Sequence, residues 1–178
     1  MKKSLKRLIL ASILLLGASA AAQAEGVPTK VLVRAVARDA KLIGSEVGGT
    51  RITLSDARTG KILAEGIQHG GSGDTQRIMV DPQPRFASVF GTPGAASYLA
   101  TVELDRPTVV EISAQAPLGD PEYTYRASKT MLLVPGQDVL GEGVILEIHG
   151  FTVKLLRPTR QEVRLGSEME VPVNVIMV

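Results

Sequence analysis

Cysteine and tryptophan are absent from the 178 residues, and histidine occurs only twice, at His69 and His149. Without cysteine the chain has neither disulfides nor thiolate chemistry, so whatever it folds into is held by packing alone. Two histidines mean that any imidazole-based catalytic or metal site must be built on one or both. Aromatic residues make up 3% of the chain, and no basic run is interleaved with them. That excludes the stacking and phosphate-binding surface of a nucleic-acid binder. The single asparagine, Asn174, precedes Val175 and Ile176, so no glycosylation acceptor is present. Beyond residue 24, no window of eleven or more residues shows helical periodicity.

The first 24 residues read as an export signal. Lys2, Lys3, Lys6 and Arg7 form a basic start, residues 8–16 an apolar run, and Ala22-Gln23-Ala24 a small-x-small cleavage site. The apolar run falls short of the ~20 residues that a membrane span needs. Cleavage after Ala24 leaves 154 residues beginning at Glu25, with 16 basic against 18 acidic side chains. The chain's net positive charge therefore comes from the signal, and residues 25–178 carry a formal charge of −2. A length of this order suits one domain, residues 25–178, with a substantial core. The location expected is the periplasm, with secretion as a further possibility.

What the remaining sequence holds is alternation and turn chemistry. Residues 49–66 predict a β-hairpin: Ile52 and Leu54 alternate with Arg51, Thr53 and Ser55, and Asp56 and Gly60 supply a capped turn with a positive φ. In residues 30–40, Val31, Val33, Ala35 and Ala37 form an apolar face, and the hairpin is the expected neighbour of this strand. Residues 96–104 and 108–116 predict a second hairpin. Further strands are expected over residues 77–80, 86–90, 123–134, 144–153, 160–165 and 169–177. About nine or ten strands with Gly and Pro at the joints describe an all-β fold, an antiparallel β-sandwich of the immunoglobulin or transthyretin-like kind. The methionines are dispersed at core-like positions and read as packing.

Residues 31–75 carry a family resemblance. The stretch from Gly49 to Asp56, the run Thr59-Gly60-Lys61-Ile62-Leu63-Ala64 and the Gly/Asp-rich loop that follows resemble carboxypeptidase-regulatory-like and transthyretin-like sandwich modules. The resemblance implies a non-catalytic appendage or interaction domain of an exported protein. One enzymatic branch of the transthyretin-like group ends in Tyr-Arg-Gly-Ser. Here Tyr125-Arg126-Ala127-Ser128 is internal, with Ala127 in place of the glycine.

The strands flanking a hairpin turn bring their outer ends together, so the loops over residues 43–49 and 68–75 are expected side by side. They would gather Ser45, Glu46, His69, Ser72 and Asp74 on a glycine-rich platform, the expected partner-binding site. The function expected is a periplasmic interaction or accessory module with a protein or glycan partner, without cofactor or metal. The alternative is a small hydrolase or metal-binding protein centred on His69, with Asp74, Glu46 or Ser72 as its companions. Gly70-Gly71-Ser72-Gly73 is not read as a phosphate cradle, because no helix is expected after it. His149 is placed on the solvent face of its strand, beside Ile145 and Glu147.

Overall fold

The computed structural model describes residues 26–156, 162 and 164–177. The export signal lies outside them, as do residues 160, 161 and 163 of the strand expected over residues 160–165. Among the described residues nine strands run in chain order: β1 Val27–Ala37, β2 Thr50–Asp56, β3 Ile62–Gln68, β4 Tyr98–Leu104, β5 Thr108–Ala116, β6 Tyr125–Leu133, β7 Val139–Ile148, β8 Phe151–Leu155 and β9 Val173–Met177. A three-stranded sheet, β4-β1-β7, faces a four-stranded sheet, β3-β2-β5-β6, and β8 and β9 form a separate ribbon. The chain is an all-β sandwich. Its pairings are antiparallel except for β1 with β7, which run parallel.

Alternation builds the core. Val31, Val33, Ala35 and Ala37 of β1 and Ala100, Val102 and Leu104 of β4 point inward from one sheet. Ile52 and Leu54 of β2 and Val110, Ile112 and Ala114 of β5 meet them from the other, and Ile52, Leu54, Val110 and Ile112 are fully buried. The β2–β3 hairpin turns as its residues dictate. Asp56 Oδ1 accepts the N–H groups of Arg58 at 2.9 Å and Thr59 at 2.8 Å, and Gly60 takes φ 72° while donating to the Asp56 carbonyl. Those amides, Thr59 foremost, hold the Asp56 carboxyl below its ordinary value.

Four expectations are corrected. β4 and β5 do not pair; they belong to opposite sheets, and residues 105–107 arch across the sandwich. Val102 and Ile112 then face one core from two sides, and an arch leaves the same alternation as a hairpin. For the same reason β1 lies opposite the β2–β3 hairpin instead of beside it, paired with β4 and β7. Residues 77–80 and 86–90 are not strands. A short helix, α1 over Thr75–Met79, begins under the Asp74 cap, and residues 81–97 wrap the outer face of the three-stranded sheet. There Val36, Leu42 and Ala96 form a second, smaller apolar cluster with Phe90 and Ile145, so the second face of β1 is covered as well. Lastly, residues 144–153 are two strands: β7 ends at Ile148, and His149 and Gly150 link it to β8.

A bulge in β7 anchors this wrapping. Pairing with β1 jumps from Val31↔Val139 to Val33↔Val144, which leaves residues 140–143 looped out. Buried Arg34 donates to the carbonyls of Gly141 at 3.0 Å and Glu142 at 2.7 Å. The Glu142 carboxylate reaches the other way, accepting from Ser88 and from the N–H groups of Phe90 at 2.9 Å and Gly91 at 3.2 Å. Partial burial pushes its pKa up, but the bonds from Ser88, Phe90, Gly91 and Val89 outweigh that and hold it below the ordinary value.

Candidate functional site

The strand register brings the ends of β1, β3, β5 and β7 and the starts of β2, β4 and β6 to one end of the sandwich. Backbone bonds tie the loops there into one platform. The Ser45 N–H donates to the Gly70 carbonyl at 2.9 Å, and the Gly70 N–H returns to the Ser45 hydroxyl at 3.0 Å. Leu42 N–H donates to Ser72 O, and Gly119 N–H to Val47 O at 2.9 Å. Gly48 must be glycine here: its φ is 87°, and a Cβ would lie 2.2 Å from the Gly119 nitrogen.

Beneath the platform sits Gln68, fully buried at the end of β3 and not in a loop as expected. β4 stops pairing with β1 at Val33↔Tyr98, and the Gln68 amide continues that edge. Its Oε1 accepts the Ala35 N–H at 2.7 Å, and its Nε2 donates to the carbonyls of Ala35 at 3.1 Å and Ile43 at 2.9 Å.

The structure thus places the loops over residues 43–49 and 68–75 in contact, but it employs most of the five candidate side chains locally. Ser45 braces Gly70. Glu46 pairs with Lys41 at 3.2 Å. Asp74 caps α1 by accepting the Arg77 N–H at 3.1 Å. Ser72 contributes its carbonyl to Leu42. His69 pairs by backbone with Ser97 and exposes its imidazole, which makes no hydrogen bond with Glu46, Ser72 or Asp74. The 68–75 loop is held by the bridges His69↔Ser97 and Gly71↔Ala95. A helix does follow the glycines, against expectation, but its first turn already carries the Asp74 carboxylate. Among the described residues no group of three or more His, Cys, Asp or Glu side chains is placed to hold a metal ion.

A second feature of this end was not legible as a site in the sequence. Arg38, Asp39, Tyr125, His149, Gly150 and Phe151 line an open cleft of about 390 Å³. The Tyr125 and His149 rings meet edge to face, 5.3 Å between centroids. An adjoining cleft of about 290 Å³ adds Arg126, Lys129 and Glu147, with Arg38 paired to Glu147 at 2.7 Å and Arg126 to Glu111 at 3.2 Å. His149 reaches Tyr125 because the end of β7 and the start of β6 lie together, from different sheets, a relation that no spacing along the chain encodes.

The fold and this loop platform define the class of protein as a β-sandwich with one elaborated end. Compared with protein-family models, curated proteins and solved structures, the chain matches none.

Proposed function

We propose that the protein is an exported, non-catalytic interaction module that contacts a protein or glycan partner of the cell envelope through its loop end, as the resemblance to carboxypeptidase-regulatory-like and transthyretin-like modules implies. The observation that carries this reading is the platform itself. Loops from both sheets are cross-linked by backbone hydrogen bonds, while His69, Glu46 and Asp74 remain exposed above them. A rigid scaffold with polar groups on its loops lowers the ordering cost of recognition.

The test has two stages. Protein recovered from an exporting host should begin at Glu25 and lie in the periplasmic fraction; an intact start at Met1 in the cytoplasm overturns export. Partners are then sought by periplasmic cross-linking and on arrays of envelope glycans. A His69→Ala/Glu46→Ala variant should bind the ligand so identified at least about tenfold more weakly, with thermal unfolding unchanged. Asp74 is left in place because it caps α1. Undiminished binding by this variant, with loss on His149→Ala, would move the site to the neighbouring cleft.

A further inference from the structure

The β8–β9 ribbon carries one wholly apolar face. Its register pairs Phe151 with Met177, Val153 with Val175 and Leu155 with Val173, so six apolar side chains in three cross-strand pairs project to the same side. Each is between 46% and 55% exposed, which is what a sheet face with nothing on it leaves open. The opposite face is turned inward along β8 only, while Asn174 and Ile176 of β9 are exposed on it. Thr152 is buried, and Lys154 pairs with Asp120 while lying 4.7 Å from the centre of the Tyr123 ring. Among the described residues, the ribbon has no third strand. A two-stranded ribbon standing alone in water is marginal, and three or more strands or a packed face are the usual remedy.

We infer that this face is covered by the same face of a second copy of the chain, giving a two-fold dimer through stacked β8–β9 ribbons. Area, shape and charge argue for that occupant. If the six half-exposed side chains of each face are fully covered, two faces together remove at most about 1,000 Å² from water, the lower bound of a specific interface. A strand face stacks on an identical one at ~10 Å, and a two-fold axis makes the contact self-complementary. No charged side chain lies among the six positions, so the juxtaposition opposes no like charges.

Sedimentation of residues 25–178 over about a hundredfold range of concentration reads the association directly. The expected result is a monomer–dimer equilibrium that Val153→Asp/Val175→Asp shifts by at least about a hundredfold toward monomer. Because two aspartates can unravel the ribbon itself, Val153→Thr/Val175→Thr is the companion variant. It keeps β-branching and shape, and should weaken association about tenfold. The chain has no cysteine, so Val175→Cys should give a covalent dimer under mild oxidation, and Val109→Cys, exposed on the sandwich, should not. A monomer at every concentration, a dimer indifferent to the threonine pair, or a monomer that instead binds neutral lipid vesicles through this face overturns the inference.

Discussion

Gln68→Glu tests whether one buried amide completes the edge of β1. The substitution preserves shape, and one carboxylate oxygen can still accept the Ala35 N–H. The other replaces the amide nitrogen that donates to the carbonyls of Ala35 and Ile43. Protonated, the new side chain can donate to one of them, and the Ala35 carbonyl keeps the Ile43 N–H at 3.1 Å. The neutral form therefore costs about one hydrogen bond, ~0.5–1.5 kcal/mol. Ionised, it places a charge against two carbonyl oxygens in a fully buried site. Burial and those oxygens raise its folded-state pKa above the ~4.3 of a free glutamate, by several units in a site of this kind. A raised pKa contributes stability that is complete below the unfolded value and lost as pH rises. At about pH 7 the loss from ionisation reaches ~3.5 kcal/mol, and with the missing hydrogen bond the total is ~4–5 kcal/mol. Urea unfolding of wild type and variant at about pH 4 and about pH 7 reads the difference. A stability loss equal at both pH values, or below about 1 kcal/mol at neutral pH, would refute the role given to Gln68.

Two further outcomes follow from the same structure. Leu54→Asp puts a carboxylate into the fully buried layer between the sheets and should cost several kcal/mol of a total of about 5–15. Arg51→Asp, exposed on the other face of β2, should change the urea midpoint little; equal effects would mean that the register is wrong. For Glu142, the folded-state pKa is lowered, so its hold on residues 88–91 is present above the ordinary carboxylate value and lost as pH falls through the lowered one. Amide exchange at Phe90 and Gly91 should accelerate in that acidic window, and Glu142→Gln should show faster exchange already at neutral pH. Exchange in Glu142→Gln identical to wild type would remove the carboxylate from this role.

Local chemistry was enough to place most of the strands, though not to exclude residues 77–80 and 86–90, and to determine how the β2–β3 hairpin turns. The alternation of Ile52 and Leu54, the Asp56 carboxylate and the positive φ at Gly60 act within a few residues of one another, so their consequence can be read in order along the chain. Hairpin geometry likewise predicted that the loops over residues 43–49 and 68–75 meet, though not the local tasks that occupy Ser45 and Asp74. Only the tertiary structure decided which sheet each strand joins. Val102 and Ile112 carry the same inward signal whether residues 105–107 make a hairpin or an arch, and the choice depends on β1 and β7 completing the opposite sheet. The same holds for Gln68, Arg34 and Val36. Their burial is set by chain that returns from over thirty to over a hundred residues away, as carbonyls, a bulge and a covering loop. The cleft at His149 belongs to that class too, since Tyr125 and His149 come from different sheets and meet only after the two have closed on one another.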